Sequence, residues 1–74
     1  MNEATTNELL DILAVELGRR KVADVYAQLT KEYKISNEQF VTLCYTLIKA
    51  KRITDRQVIN KITRYQIKHK INVS

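Results

Sequence analysis

The sequence has no proline and no tryptophan, and it has one glycine and one cysteine among 74 residues. A single thiol excludes an internal disulfide. With one histidine beside it, carboxylates would have to complete any metal site, which argues against one. The scarcity of glycine and proline excludes collagen-like, linker-rich and turn-rich β architectures. Since 45% of the residues are hydrophobic, the composition also argues against disorder.

Length predicts one domain, spanning residues 1–74. Folding at this size buries only about 60–65% of the surface that the unfolded chain exposes, so the core is small. Small domains usually add disulfides, a metal or a partner chain, and the first two are disfavoured here. We therefore expect a homodimer.

No targeting or membrane segment is expected. The N-terminal stretch is acidic, and Asp11 and Glu16 interrupt its apolar run from Leu9 to Leu17. A lone thiol suits a reducing compartment. These features predict a cytoplasmic protein.

Charge is distributed unevenly along the chain. Residues 1–18 contain four acidic and no basic residues, whereas residues 49–74 contain eight basic residues and one acidic residue. The asymmetry favours a C-terminal part that faces polyanions. Alternatively, the net charge of +5 serves solubility, and an acidic first helix complements a basic last one.

Capping patterns and periodicity predict four helices and no strands. The expected helices cover residues 6–17, 20–33, 37–51 and 55–71. Thr5–Glu8, Ser36–Gln39 and Thr54–Gln57 each match a capping box. Gly18 is expected to end the first helix in a left-handed conformation. Related triplets recur as Lys34-Ile35-Ser36, Arg52-Ile53-Thr54 and Lys70-Ile71-Asn72; convergence on cap chemistry suffices to explain them.

The apolar positions predict how the helices pack. In the second helix they fall on one stripe, whereas the third helix is apolar on nearly all sides and should be central or lie in a dimer interface. The first helix is the candidate for dimer contacts. The predicted core is Leu9, Leu13, Leu17, Val22, Val25, Tyr26, Leu29, Phe40, Leu43, Cys44, Leu47, Ile48, Val58, Ile62 and Tyr65.

Residues for catalysis are scarce. His69 is the only imidazole, no glycine-rich phosphate loop exists, and Cys44 stands among apolar neighbours where an inert buried thiol is expected. We expect neither an enzyme nor a cofactor.

The fourth helix carries the strongest functional pattern. Gln57, Lys61, Arg64 and Lys68 recur at i, i+4, i+7 and i+11, which places them on one side of the helix. Cations on such a line can neutralise phosphates, and Arg, Gln and Asn can pair with base edges. The alternative is an ordinary solvated face. The candidate nucleic-acid-binding residues are Arg56, Gln57, Asn60, Lys61, Arg64 and Lys68, with a second cluster of Arg19, Arg20 and Lys21.

Two functions fit this pattern. The first is a double-stranded DNA-binding protein that regulates transcription as a dimer, with helices 3 and 4 as a helix-turn-helix-like unit and helix 4 as the reader. The second is a small modulator or adaptor that docks an acidic protein partner without binding nucleic acid.

Overall fold

Four α-helices joined by short turns make up most of the computed structural model, which describes residues 2–73. The helices are α1 (Glu3–Glu16), α2 (Val22–Tyr33), α3 (Asn37–Lys49) and α4 (Arg56–Lys68). No strand occurs between residues 2 and 73, and the all-α prediction is confirmed. The first and last residues of the predicted 1–74 domain lie outside the described range.

The ring of Phe40 in α3 lies at the centre of the packing. It is fully buried, and it meets the rings of Tyr26 in α2 and Tyr65 in α4 edge-on, with centroid distances of 5.1 and 5.9 Å. The α3 helix also packs against α1, and α2 packs against α4. The nearly uniform apolarity of α3 is explained by this arrangement, because other helices cover it from several directions.

Most of the predicted core is confirmed. Tyr26, Ile48 and Val58 are only partly buried. Four buried residues were not predicted: Ile35, Val41, Ile53 and Ile71. Ile35, Ile53 and Ile71 each follow the end of a helix, where helical periodicity does not predict which residues are buried.

The start of α1 differs from the prediction. Asn2 is the N-cap, and its side-chain oxygen accepts a hydrogen bond of 2.8 Å from the backbone N–H of Thr5. The predicted capping box at Thr5–Glu8 is therefore wrong, and the helix begins three residues earlier than expected. Asparagine caps a helix at least as well as threonine does, so capping preference alone could not favour Thr5 over Asn2.

The predicted cap is confirmed at the start of α3, whereas the cap of α4 lies one residue later than predicted. Ser36 and Gln39 form the predicted capping box, with backbone-to-side-chain distances of 2.9 and 3.1 Å. In α4 the cap is Asp55, which accepts from the backbone N–H of Gln57 at 2.8 Å, and not Thr54 as predicted.

Three helices are followed by a lysine in the left-handed region. Their φ angles are 53° at Lys34, 59° at Lys51 and 51° at Lys70. Gly18, predicted to be left-handed, is not: α1 ends at a right-handed Leu17 instead. The chain thus uses lysine where glycine is the common choice.

Backbone hydrogen bonds of one kind occur at two of the three recurring triplets. The N–H of Arg52 donates to the carbonyl of Leu47, and the N–H of Ile71 donates to that of Gln66, both at 3.0 Å. This is the long hydrogen bond of a Schellman motif, which brings an apolar residue after the helix back onto the core. These two triplets therefore mark the ends of α3 and α4, whereas the triplet after α2 supplies the Ser36 cap of α3.

The structure supplies no support for the expected homodimer. The sequence argument rested on the apolar surface of α3, which a single chain covers by itself. Among the described residues, the exposed large hydrophobic side chains are Val15 on α1 and Ile67 on α4.

Across residues 2–73, none of the helices has the length and apolarity that crossing a membrane requires.

Cys44 provides a test of the core. Burial raises the pKa of its thiol to about 12, from an ordinary value of about 9. We expect a thiol-reactive dye to label it slowly in the native protein and rapidly in denaturant. Fast native labelling would contradict the packing of α3.

The same thiol has a consequence for pH dependence. Above about pH 9 the unfolded chain loses this proton while the folded chain keeps it, so the stabilising contribution is present below pH 9 and is lost as pH rises towards 12. Unfolding free energies measured between these values should fall more steeply for the parent protein than for a Cys44→Ala variant.

Candidate nucleic-acid interface

The α4 helix presents one face to the core and a polar face to solvent. Ile62 and Tyr65 are buried. The predicted residues that α4 leaves exposed are Arg56, Gln57, Asn60, Arg64 and Lys68. Five of the six candidates on this helix are therefore accessible to a large ligand.

Tyr65 fixes the rotation of α4 about its own axis. Its hydroxyl donates to the side-chain oxygen of Asn37 at 2.5 Å, and the His69 ring packs on it with centroids 4.3 Å apart. Burial raises the pKa of the Tyr65 hydroxyl, so it keeps its proton, and its role as a donor, to higher pH than an exposed tyrosine does. With this side held against α3, the exposed side of α4 has a defined direction.

Cations from two helices line a shallow groove between α4 and the start of α2. Lys61, Arg64 and Lys68 line it from α4, and Lys21 lines it from the other side. Val22, Ala23 and Tyr65 complete its lining, which contains no carboxylate. The groove brings together four of the nine predicted binding residues.

Lys61 differs from its neighbours because it is half-buried. Its ammonium group donates to the backbone carbonyl of Leu17 at 3.2 Å and to that of Arg20 at 3.1 Å. Lys61 is therefore not a purely solvated member of the predicted stripe, because its ammonium group takes part in the fold. Lys61 fastens the α1–α2 turn to α4 and so holds Lys21 beside the groove.

The first turn of α2 adds a second source of positive potential. Lys21 is its N-cap residue, and no side chain caps the helix. The N–H groups of a first helical turn have no intrahelical acceptor, and the helix dipole places partial positive charge there. Val22 and Ala23 of this turn lie on the groove.

The second predicted cluster is divided by the fold. Arg20 points away from α4: its guanidinium donates to Glu16 at 3.3 Å and also to Gln28. Arg19 is exposed in the turn and does not line the groove. Of the three, Lys21 alone lines the groove.

The sequence analysis did not identify the first turn of α2 as part of the candidate site. A usable signal was present, because the residue before Val22 is a lysine and not one of the usual capping residues. The contact between the start of α2 and α4 is a tertiary contact, and no local sequence pattern predicts it.

Two further acidic residues of α1, Asp11 and Glu8, have partners within the fold. Asp11 forms a salt bridge of 2.8 Å with Arg52, and Glu8 accepts from the Tyr33 hydroxyl at 2.9 Å. This hydrogen bond raises the pKa of Tyr33. The Asp11–Arg52 salt bridge thus pairs an acidic residue of the N-terminal part with a basic residue of the C-terminal part within the same chain.

Within residues 2–73, no three His, Cys, Asp or Glu side chains are grouped so that they could hold a metal ion.

Lys61 and Lys68 offer a matched pair for testing the groove. Lys61→Met keeps the apolar stem but loses two hydrogen bonds from a charged donor, and it should lower the free energy of unfolding by about 1–2 kcal/mol. Lys68→Met, at an exposed position, should change it by less than about 0.5 kcal/mol. Urea unfolding measures both, and equal effects would contradict a fastening role for Lys61.

Comparisons with known proteins return no match: no family model, no curated protein and no solved structure matches the chain.

Proposed function

We propose that this protein binds double-stranded DNA through α4 and the first turn of α2, and that it acts as a cytoplasmic regulator of transcription. The observation that carries the proposal is the groove lined by Lys21, Lys61, Arg64 and Lys68 without any carboxylate. Cations held together on one surface suit a polyanion better than they suit a neutral ligand.

Phosphate contact is the first part of the proposed mechanism. Lys21, Arg64 and Lys68 can approach one strand of the DNA backbone, and the uncapped N–H groups at the start of α2 can donate to the same phosphates. Each neutralised phosphate releases counterions, so binding should be strongest at low salt. Lys61 contributes charge while it holds the turn in place.

Base contact is the second part. The exposed face of α4 also carries Gln57 and Asn60, whose side chains can pair with base edges in the major groove, as that of Arg64 can. An α-helix fits this groove when one whole face is free. The α3 helix packs behind α4, as the supporting helix of a helix-turn-helix-like unit would.

The tyrosines favour duplex over single-stranded nucleic acid. Single-strand binding relies on exposed aromatic rings that stack on bases. Tyr65 is buried, and the other three are partly buried with their hydroxyls hydrogen-bonded to protein atoms. The rings are engaged in packing, so the cations are left as the main contact groups.

The double variant Arg64→Ala/Lys68→Ala tests this proposal. Both side chains are exposed, so stability should change by less than about 0.5 kcal/mol for each. Affinity for a labelled mixed-sequence duplex, measured by fluorescence anisotropy at about 50 mM and about 200 mM salt, should fall about tenfold or more at the lower salt. The salt slope should decrease by up to about two units, one for each phosphate contact.

A matched control is Lys31→Ala/Lys49→Ala, which removes two exposed cations that do not line the groove. It should bind nearly as well as the parent protein. Absence of duplex binding by the parent at low salt would reject the proposal and favour an acidic protein as the partner of the same surface. Equal losses in the two variants would reject the assignment to this groove.

The homodimer stays a prediction tied to this function, since two-fold symmetric proteins read paired half-sites. Sedimentation velocity at micromolar concentration should show a species of twice 8.7 kDa without duplex, and a complex of two protein chains with each duplex when DNA is added. A monomer under both conditions would contradict it.

A further inference from the structure

Ile67 is an apolar side chain in the middle of the exposed polar face of α4. It is 70% exposed, more than Val15, the other exposed large hydrophobic residue of the described chain. Neither its neighbours on α4 nor another element covers it. An isolated apolar surface residue needs no explanation in general, but this one lies within the proposed contact face.

Helix geometry places Ile67 on the same outward line as two of the candidate base readers. At 100° per residue, it lies about 20° around the helix from Asn60 and about 60° from Arg64. All three side chains are exposed. The line points away from the core, whereas the groove cations Lys61 and Lys68 lie to one side of it.

The distance between Asn60 and Ile67 along α4 is comparable to a few base-pair steps. Asn60 and Ile67 are separated by a rise of about 10 Å, which is about three base-pair steps. Asparagine pairs with adenine in the major groove, and the one apolar group exposed there on the edges of the four bases is the thymine methyl. Arg64, between them, can reach guanine or a phosphate.

We infer that Ile67 contacts a thymine methyl group and so gives this protein a preference for duplexes with thymine at that position. The inference rests on the proposed function, because it assumes that α4 enters the major groove. It adds a specificity residue that carries no charge and contributes nothing to phosphate contact.

The test compares two labelled hairpin duplexes, one of alternating dA-dT and one of alternating dA-dU, which differ only in the methyl group. The parent protein should bind the dA-dT hairpin about fourfold more tightly, as expected for burying one methyl-sized group. Ile67→Ala should remove this difference, while affinity for the dA-dU hairpin and the salt slope stay close to those of the parent. Val15→Ala, the matched control, should keep the full difference.

The outcomes separate this inference from the function on which it rests. If the parent binds both hairpins equally in a salt-sensitive way, the contact with thymine is overturned and DNA binding stands. If Ile67→Ala keeps the difference, another residue reads the methyl group and the assignment to Ile67 is overturned. If neither hairpin is bound at low salt, the proposed function fails and the inference with it.

Discussion

The ring of Phe40 is the contact on which the other features depend. It joins α2, α3 and α4 through edge-on contacts with Tyr26 and Tyr65, and it is fully buried. Because Tyr65 is held from two sides, by this ring and by Asn37, α4 cannot rotate without breaking a buried contact. The direction of the charged face therefore follows from an aromatic cluster that carries no charge.

The four helices were predictable from periodicity and capping, whereas several of their ends were not. All four helices exist where the pattern placed them, yet α1 begins at Glu3, because Asn2 caps it as well as a threonine would. Ile35, Ile53 and Ile71 are buried by chain reversal after a helix, so no helical or strand period identifies them. Gly18 permits a left-handed stop, but α1 ends at a right-handed Leu17, and the left-handed residues that follow the other three helices are lysines.

For the candidate site, too, the local pattern was predictable from the sequence and the contacts between distant segments were not. The stripe on α4 is a one-dimensional pattern, and its exposed members lie on one face as expected. The sequence pattern does not predict which distant segment lies beside that stripe. The two carbonyl contacts of Lys61 join residues that are 41 and 44 positions apart, and they bring Lys21 to the groove while Arg20 turns to Glu16. Three adjacent cations thus have three different environments.

The left-handed lysines bear on the unfolded chain as much as on the folded one. Glycine at Lys34, Lys51 and Lys70 would relieve backbone strain in the native state, but it would also give the denatured ensemble more conformations to lose. These effects oppose each other: the left-handed conformation costs a residue other than glycine about 1–2 kcal/mol, and the extra freedom of glycine in the unfolded chain costs about 0.4–1 kcal/mol. A short chain without a disulfide thereby limits the entropy that it must lose on folding, and it keeps a cation at the negative end of three helix dipoles.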